Sequence, residues 1–174
     1  MLRMMAALWG FSGIFCLLGT AVVRLSQRAM EIFSGTLSIG EWLLLLISIL
    51  FMAYFEGYRG FQCGFSPRVA SRIFYLGRHG GWLEGVLAPL FCMGFFGTTH
   101  LRQRISILVT LMIILMVYGA GHLPMPWRGI VDAGVAIGLL WGLLSLVFFS
   151  CKAFLSKDFI HVPELAPGKM VTRS

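Results

Sequence analysis

Charge is what this sequence has least of. Aspartate and glutamate supply 7 of 174 residues, and all charged residues together make up 12%, against about 25% in a soluble domain of ordinary composition. That shortage excludes a conventional water-facing surface. Paired cysteines are missing too: Cys16, Cys63, Cys92 and Cys151 show no CxxC or similar spacing. Three of them lie in or beside apolar runs, where a thiol serves as a small hydrophobe, so no disulfide framework is expected. HExxH, GxSxG and GxxxxGK[ST] are absent, which removes the spacings of a zinc peptidase, a serine hydrolase and a phosphate loop. The sequence therefore indicates no catalytic residue, no metal ligand set and no cofactor, and it contains no internal repeat.

What it has in abundance is apolar length. Hydrophobic residues make up 58% and the mean hydropathy is +0.86. They gather into five runs, at 4–23, 42–55, 85–99, 105–120 and 133–151. A membrane-crossing helix needs roughly 17–25 such residues, and helix is the form in which a backbone satisfies its own hydrogen bonds in lipid. Stretches such as 43–46 are apolar on every side, which argues against the alternation of a β-barrel. The first run is longer than the roughly 7–15 apolar residues of a signal peptide and has no A-x-A site after it, so it reads as a retained span.

The third run is the ambiguous one, being short and carrying Pro89, Gly85, Gly94 and Gly97. Arginine and lysine near span ends favour the cytoplasmic side and can arbitrate. If all five runs cross, the basic residues divide 6 inside to 8 outside. If the third run does not cross, Arg3, Arg59, Arg68, Arg72, Arg78, Arg102, Arg104 and the basic tail fall on one side. Only Arg24, Arg28 and Arg128 remain on the other, a division of 11 to 3. The expected architecture is thus an all-α integral membrane protein, a four-helix transmembrane bundle with one short non-spanning or re-entrant inner segment. Five transmembrane helices are the alternative. Residues 1–155 form the single transmembrane domain, with spans at about 4–24, 40–58, 104–121 and 130–152 and an interfacial segment at 66–100. Residues 156–174, with Pro163, Pro167 and Gly168, are expected to form a polar, extended or disordered cytoplasmic tail. Trp9 and Trp82 then fall near the inner interface, Trp42 and Trp127 near the outer one, and Trp141 in mid-span. Both termini lie in the cytoplasm, most simply of a bacterial inner membrane, with an organellar membrane as the alternative.

Three constellations stand out. Gly134, Gly138 and Gly142, spaced by four, cut a groove down one face of the last span; such small-residue patterns mark close helix packing, within one chain or between subunits. Between the second and third runs, Ser66-Pro67 makes a good helix start. Arg68 and Arg72 follow one turn apart, and Val69, Ile73 and Leu76 occupy another face. That pattern reads as an amphipathic interfacial helix, and with Arg59, Arg78, Arg102 and Arg104 it forms a basic inner surface for anionic lipid or a partner. At the outer end, Arg128 and Asp132 stand four apart and can pair, with Arg24 and Arg28 as further members of an outer polar cluster. The net charge of +7 sits beside apolar runs, so membrane orientation explains it and nucleic acid does not.

The segments EGYRGFQ (56–62), FSPR (65–68), LAPLFCMGFF (87–96) and PWRGIVDAG (126–134) resemble uncharacterised small bacterial integral membrane proteins. The resemblance covers about a quarter of the chain. It implies a bacterial membrane and supplies no catalytic residue. Three functions are then open. One is a non-enzymatic structural or accessory subunit of a homo-oligomer or larger membrane complex. Another is a lipid- or small-solute-handling protein using the basic inner segment. The last is an inner-face lipid-headgroup enzyme using Glu56 or Glu84 with His79 or His100. The topology is directly testable: a reporter fused after Thr99 should report the same side as one fused at the amino terminus, and the opposite side would establish five spans.

Overall fold

A peptide group in lipid has no water to bind, and long helices answer that constraint. The computed structural model describes residues 2–155; the tail at 156–174 lies outside them. Among the described residues there is no strand, and four helices are long and apolar enough to cross a membrane: Leu2–Ser34, Ile39–His79, His100–Gly121 and Trp127–Leu155. The first comprises α1 (Leu2–Met30) and a 3-10 turn (Glu31–Ser34). The second begins with α2 (Ile39–Met52), where Ser38 and Glu41 cap each other reciprocally: the Ser38 N–H donates to Glu41 Oε2 at 2.7 Å and the Glu41 N–H to Ser38 Oγ at 3.4 Å. Both groups are amide donors that the first turn would otherwise leave unmatched.

The second helix does not stop near residue 58. It widens into a π-helix over Ala53–Phe65 and passes without a break into α3 (Ser66–His79). Segment 66–79 is therefore not an interfacial helix lying apart from the bundle. Val69, Ile73 and Leu76 do form one apolar face, as expected, but that face is buried in the main core with Ala7, Ile14 and Leu146. The Ser66 hydroxyl, expected as a cap, instead meets Ser145 Oγ at 2.6 Å, and Ser145 in turn donates to Gly142 O at 2.9 Å. Pro67 is tolerated in the first turn of α3, where a missing N–H costs least. Gly80 ends the helix, and Arg3 caps it by donating from Nη1 to Arg78 O at 2.8 Å.

Two short helices follow, α4 (Trp82–Val86) and α5 (Ala88–Met93), of five and six residues. They climb beside the amino-terminal half of α1. Gly85 lies against Ala6, Ala88 and Cys92 against Gly10, and Pro89 against Gly13, where an added Cβ would come within 2.6 Å of the proline ring. Helix α6 (His100–Gly121) then runs with none of its residues buried, and α7 (Trp127–Leu155) returns through the centre.

For helices in a bilayer, packing cannot lean on expulsion of water, because lipid tails are as apolar as leucine, and close van der Waals contact serves instead. The glycines of α7 provide it within this chain. A Cβ at Gly134 would lie 2.4 Å from Ser48 Oγ, one at Gly138 2.9 Å from Glu56 Oε2, and one at Gly142 2.6 Å from the Phe61 ring. The seam is thus filled by α2 and the π segment. Replacing Gly142 by leucine should destabilise the fold by about 1–3 kcal/mol through overpacking. Gly19→Ala, with nothing near its added methyl, should be neutral or stabilising by up to about 1 kcal/mol. Thermal unfolding in a mild detergent measures both.

Candidate functional site

A buried arginine must find acceptors, and Arg72 shows how the chain provides them. Helix α5 ends at Gly94, whose φ of 86° is the left-handed conformation glycine adopts without strain. Gly94 N–H donates to Phe91 O at 3.1 Å and Phe95 N–H to Leu90 O at 3.1 Å, the paired bonds of a Schellman turn. A carbonyl oxygen has two lone pairs, and the Arg72 guanidinium donates to the same Phe91 O from the other side. It also donates to Gly97 O at 3.4 Å and lies 4.8 Å from the centroid of the Phe91 ring. At 4% exposure, Arg72 is part of the core. The expectation that it faces lipid is corrected on that ground, because helix-end carbonyls and an aromatic face take the place of phosphate. Gly97, with φ 67°, completes the turn, and a side chain there would strike the Phe91 ring at 2.7 Å.

Around this pinned turn the fold gathers two more of the expected basic residues. Arg68 and Arg102, both half-buried, line with Arg72 a cavity of about 20 Å³ that Phe65, Cys92 and Gly94 also border. Arg68 comes from the turn of α3 before Arg72, and Arg102 from the first turn of α6. Ser106, one turn further along α6, donates to Met93 O at 3.2 Å and ties the two elements together. The other members of the expected basic surface lie elsewhere. Arg59 is exposed on the π segment and Arg104 is exposed on α6; Arg78 is exposed beside Arg3, stacked over Phe74 at 4.4 Å.

Sequence reasoning placed Glu56 at the end of a span. The structure puts it inside the second long helix, over Gly138 and within the apolar run of α7. It is therefore not brought together with His79, which stacks on Tyr75 at 5.6 Å near the end of α3. Nor does it meet Glu84, which accepts from Gly81 N–H at 3.1 Å, or His100, exposed at the start of α6. Among the described residues no three histidine, cysteine or acidic side chains converge as metal ligands.

At the opposite end of the bundle the Arg128–Asp132 pair forms, with Nε 3.9 Å from Oδ2. Asp132 is buried, and Arg28 and Glu31 act on it electrostatically. Arg24 is exposed. A second cavity, about 400 Å³ and lined by Met4, Ala7, Phe11, Ile73, Ser150 and Phe154 among others, opens between α1, α3 and α7.

The small-residue face of α1 that carries α5 went unnoticed in the sequence. Ala6 and Gly10 stand four apart, the same signal that marked α7. Compared with known proteins, the chain matches no family model, no curated protein and no solved structure. The roles of these residues therefore rest on their geometry.

That geometry makes Cys92 a reporter of the pinned turn. Its side chain is 2% exposed, and burial pushes the thiol up to about 12, against the opposing pull of the Arg72 charge. In detergent at about pH 8, close to an ordinary thiol's pKa, N-ethylmaleimide should label Cys16, Cys63 and Cys151, which are exposed, and spare Cys92. Arg72→Met removes charge-assisted hydrogen bonds worth about 1.5–3 kcal/mol and should open Cys92 to the reagent. Peptide mass spectrometry reads the result, and continued protection would show that the turn stands without Arg72.

Proposed function

We propose that this chain is a non-enzymatic integral membrane subunit that works by assembling with a second copy of itself through α6. It crosses the membrane four times, with the amino terminus and the basic end of the bundle in the cytoplasm of a bacterium, and α4–α5 form a re-entrant segment on that side. The observation that carries the reading is the state of α6. A helix that is apolar all round is either buried in a protein core or set in a membrane, and this one contributes no buried residue to its own chain, so its whole apolar surface is open to lipid or to a second helix. It is fastened near its ends, by Ser106 to Met93 and by Arg128 Nη1 to Gly121 O at 3.4 Å. Between them Leu108, Leu111, Met112, Leu115 and Tyr118 point outward.

Self-association is the occupant chosen because two-fold homodimers are the commonest closed assemblies, and because α6 ends in small residues. Nothing lies within 4 Å of where side chains at Gly119 and Gly121 would begin, so a second α6 can approach there closely. The glycine groove of α7 does not serve the contact, since this chain fills it. The test is oxidative cross-linking of single cysteines placed in turn at 107–117 in a cysteine-free background. Dimers should appear in native membranes with helical periodicity. Monomer at every position, or one chain per particle by native mass spectrometry, would overturn the assembly.

A further inference from the structure

Where α1 begins and α3 and α7 end, the three helices leave a space that none of them fills. The cavity of about 400 Å³ there is lined by Met4, Ala7 and Leu8 of α1, Ile73 of α3, and Cys151 and Phe154 of α7, among others. Its size lies in the range of ligand pockets, about 300–1,000 Å³, but a pocket for a small polar molecule carries a few placed hydrogen-bonding groups. No polar atom faces this one. Ser150 lends it only carbon, its hydroxyl being enclosed. Gly77 helps to keep the space open: a Cβ there would already touch Met4 Sδ at 3.4 Å, Ala7 Cβ at 3.6 Å and Phe154 Cε1 at 3.7 Å. Leu8, Cys151 and Leu155 are exposed at its edge, so the cavity opens at the surface of the bundle. A wall of this kind suits a featureless hydrocarbon chain.

The same end of the bundle carries cations. Arg3, next to Met4, donates from Nη1 to Arg78 O at 2.8 Å. The Arg78 guanidinium lies 4.4 Å over the Phe74 ring, which is 5.6 Å from the ring of Phe154 in the cavity wall. Lys152 follows Cys151 on α7. All three cations are exposed, and among the described residues none is paired with a carboxylate. Basic side chains beside an apolar surface attract anionic lipid. We propose that the cavity holds one acyl chain of an anionic phospholipid, with the headgroup at Arg3 and Arg78 and the second chain along the exposed Met5 and Leu8 of α1. A free fatty acid would leave that flank of α1 uncovered, so the two-chain lipid is the better match. The proposal rests on the chain's place in a membrane and not on the α6 contact, since α6 lines no part of the cavity.

Cys151 makes the occupant visible, because it lies in the cavity wall while Cys16 and Cys63 are exposed elsewhere. The full chain in a mild neutral detergent is titrated with dioleoyl phosphatidylglycerol, then labelled with N-ethylmaleimide and weighed by native mass spectrometry. One lipid per chain should be retained, and Cys151 labelling should slow severalfold while Cys16 and Cys63 label as before. Dioleoyl phosphatidylcholine should bind about tenfold more weakly, and Arg3→Gln with Arg78→Gln, both at exposed positions, should erase that preference. Dihexanoyl phosphatidylglycerol, with the same headgroup on short chains, should leave Cys151 reactive. Unprotected Cys151 overturns the proposal, as does equal retention of the zwitterionic lipid or an undiminished preference in the double variant. Equal protection by the short-chain lipid or by oleate overturns it too, the latter identifying a fatty-acid site. None of these outcomes alters the cross-linking expected of α6, so the two readings fail separately.

Discussion

A single guanidinium holds the irregular part of this molecule in place. Six-residue helices are too short to stand alone, and α5 exists because its last carbonyls are satisfied twice over, by the Schellman turn and by Arg72. The same side chain stacks on Phe91, whose ring Gly97 closes over. Remove that anchor and the peptide groups at 91–97 lose their acceptor-donor balance in surroundings where water is scarce. The start of α6 follows from it as well, since Ser106 reaches back to Met93. The position of Arg102, and so of the cavity, is thus set by a residue thirty positions earlier in the chain.

The regular part depends on small residues. Two seams organise it, one on α7 at Gly134, Gly138 and Gly142, the other on α1 at Ala6, Gly10 and Gly13. Each lets a bulky partner lie against backbone: Phe61 in the first, Pro89 in the second. Polar side chains then fix the register along the first seam, through Ser48 to Ile130 O at 3.1 Å, Trp141 to Gln62 at 2.7 Å and Ser66 to Ser145. Such bonds contribute about 0.6–2 kcal/mol each between membrane helices. Their value lies more in specificity than in strength.

The all-helical class and the four long apolar helices were legible in the sequence, because run length is a direct consequence of bilayer thickness. The seam on α7 was legible from spacing alone. What spacing could not say was which neighbour fills it, since that depends on partners more than eighty residues away in sequence. Segment 66–79 shows the limit most clearly. Its amphipathic pattern was correct, but an apolar face looks the same whether it meets acyl chains or two other helices. Arg72 misled for a related reason: charge is read as solvent exposure unless backbone carbonyls are known to converge on it. Glu56 was placed at a span end because a carboxylate usually closes an apolar run, and no local signal announces that a glycine on another helix makes room for it. The π-helix likewise leaves no sequence signature beyond the glycines at 57, 60 and 64.

That widened segment makes chain length itself a structural specification. Between the contacts at Ser48–Gly134 and Ser66–Ser145, the second helix advances 18 residues while α7 advances 11; i→i+5 turns take up residues faster than α-turns do. Every side chain of α3 inherits its direction from that accumulated phase. Losing one residue from 53–65 would swing α3 by roughly 100° about its axis, one α-helical step, and carry Arg72 off Phe91 with no change in the residues of α3 itself.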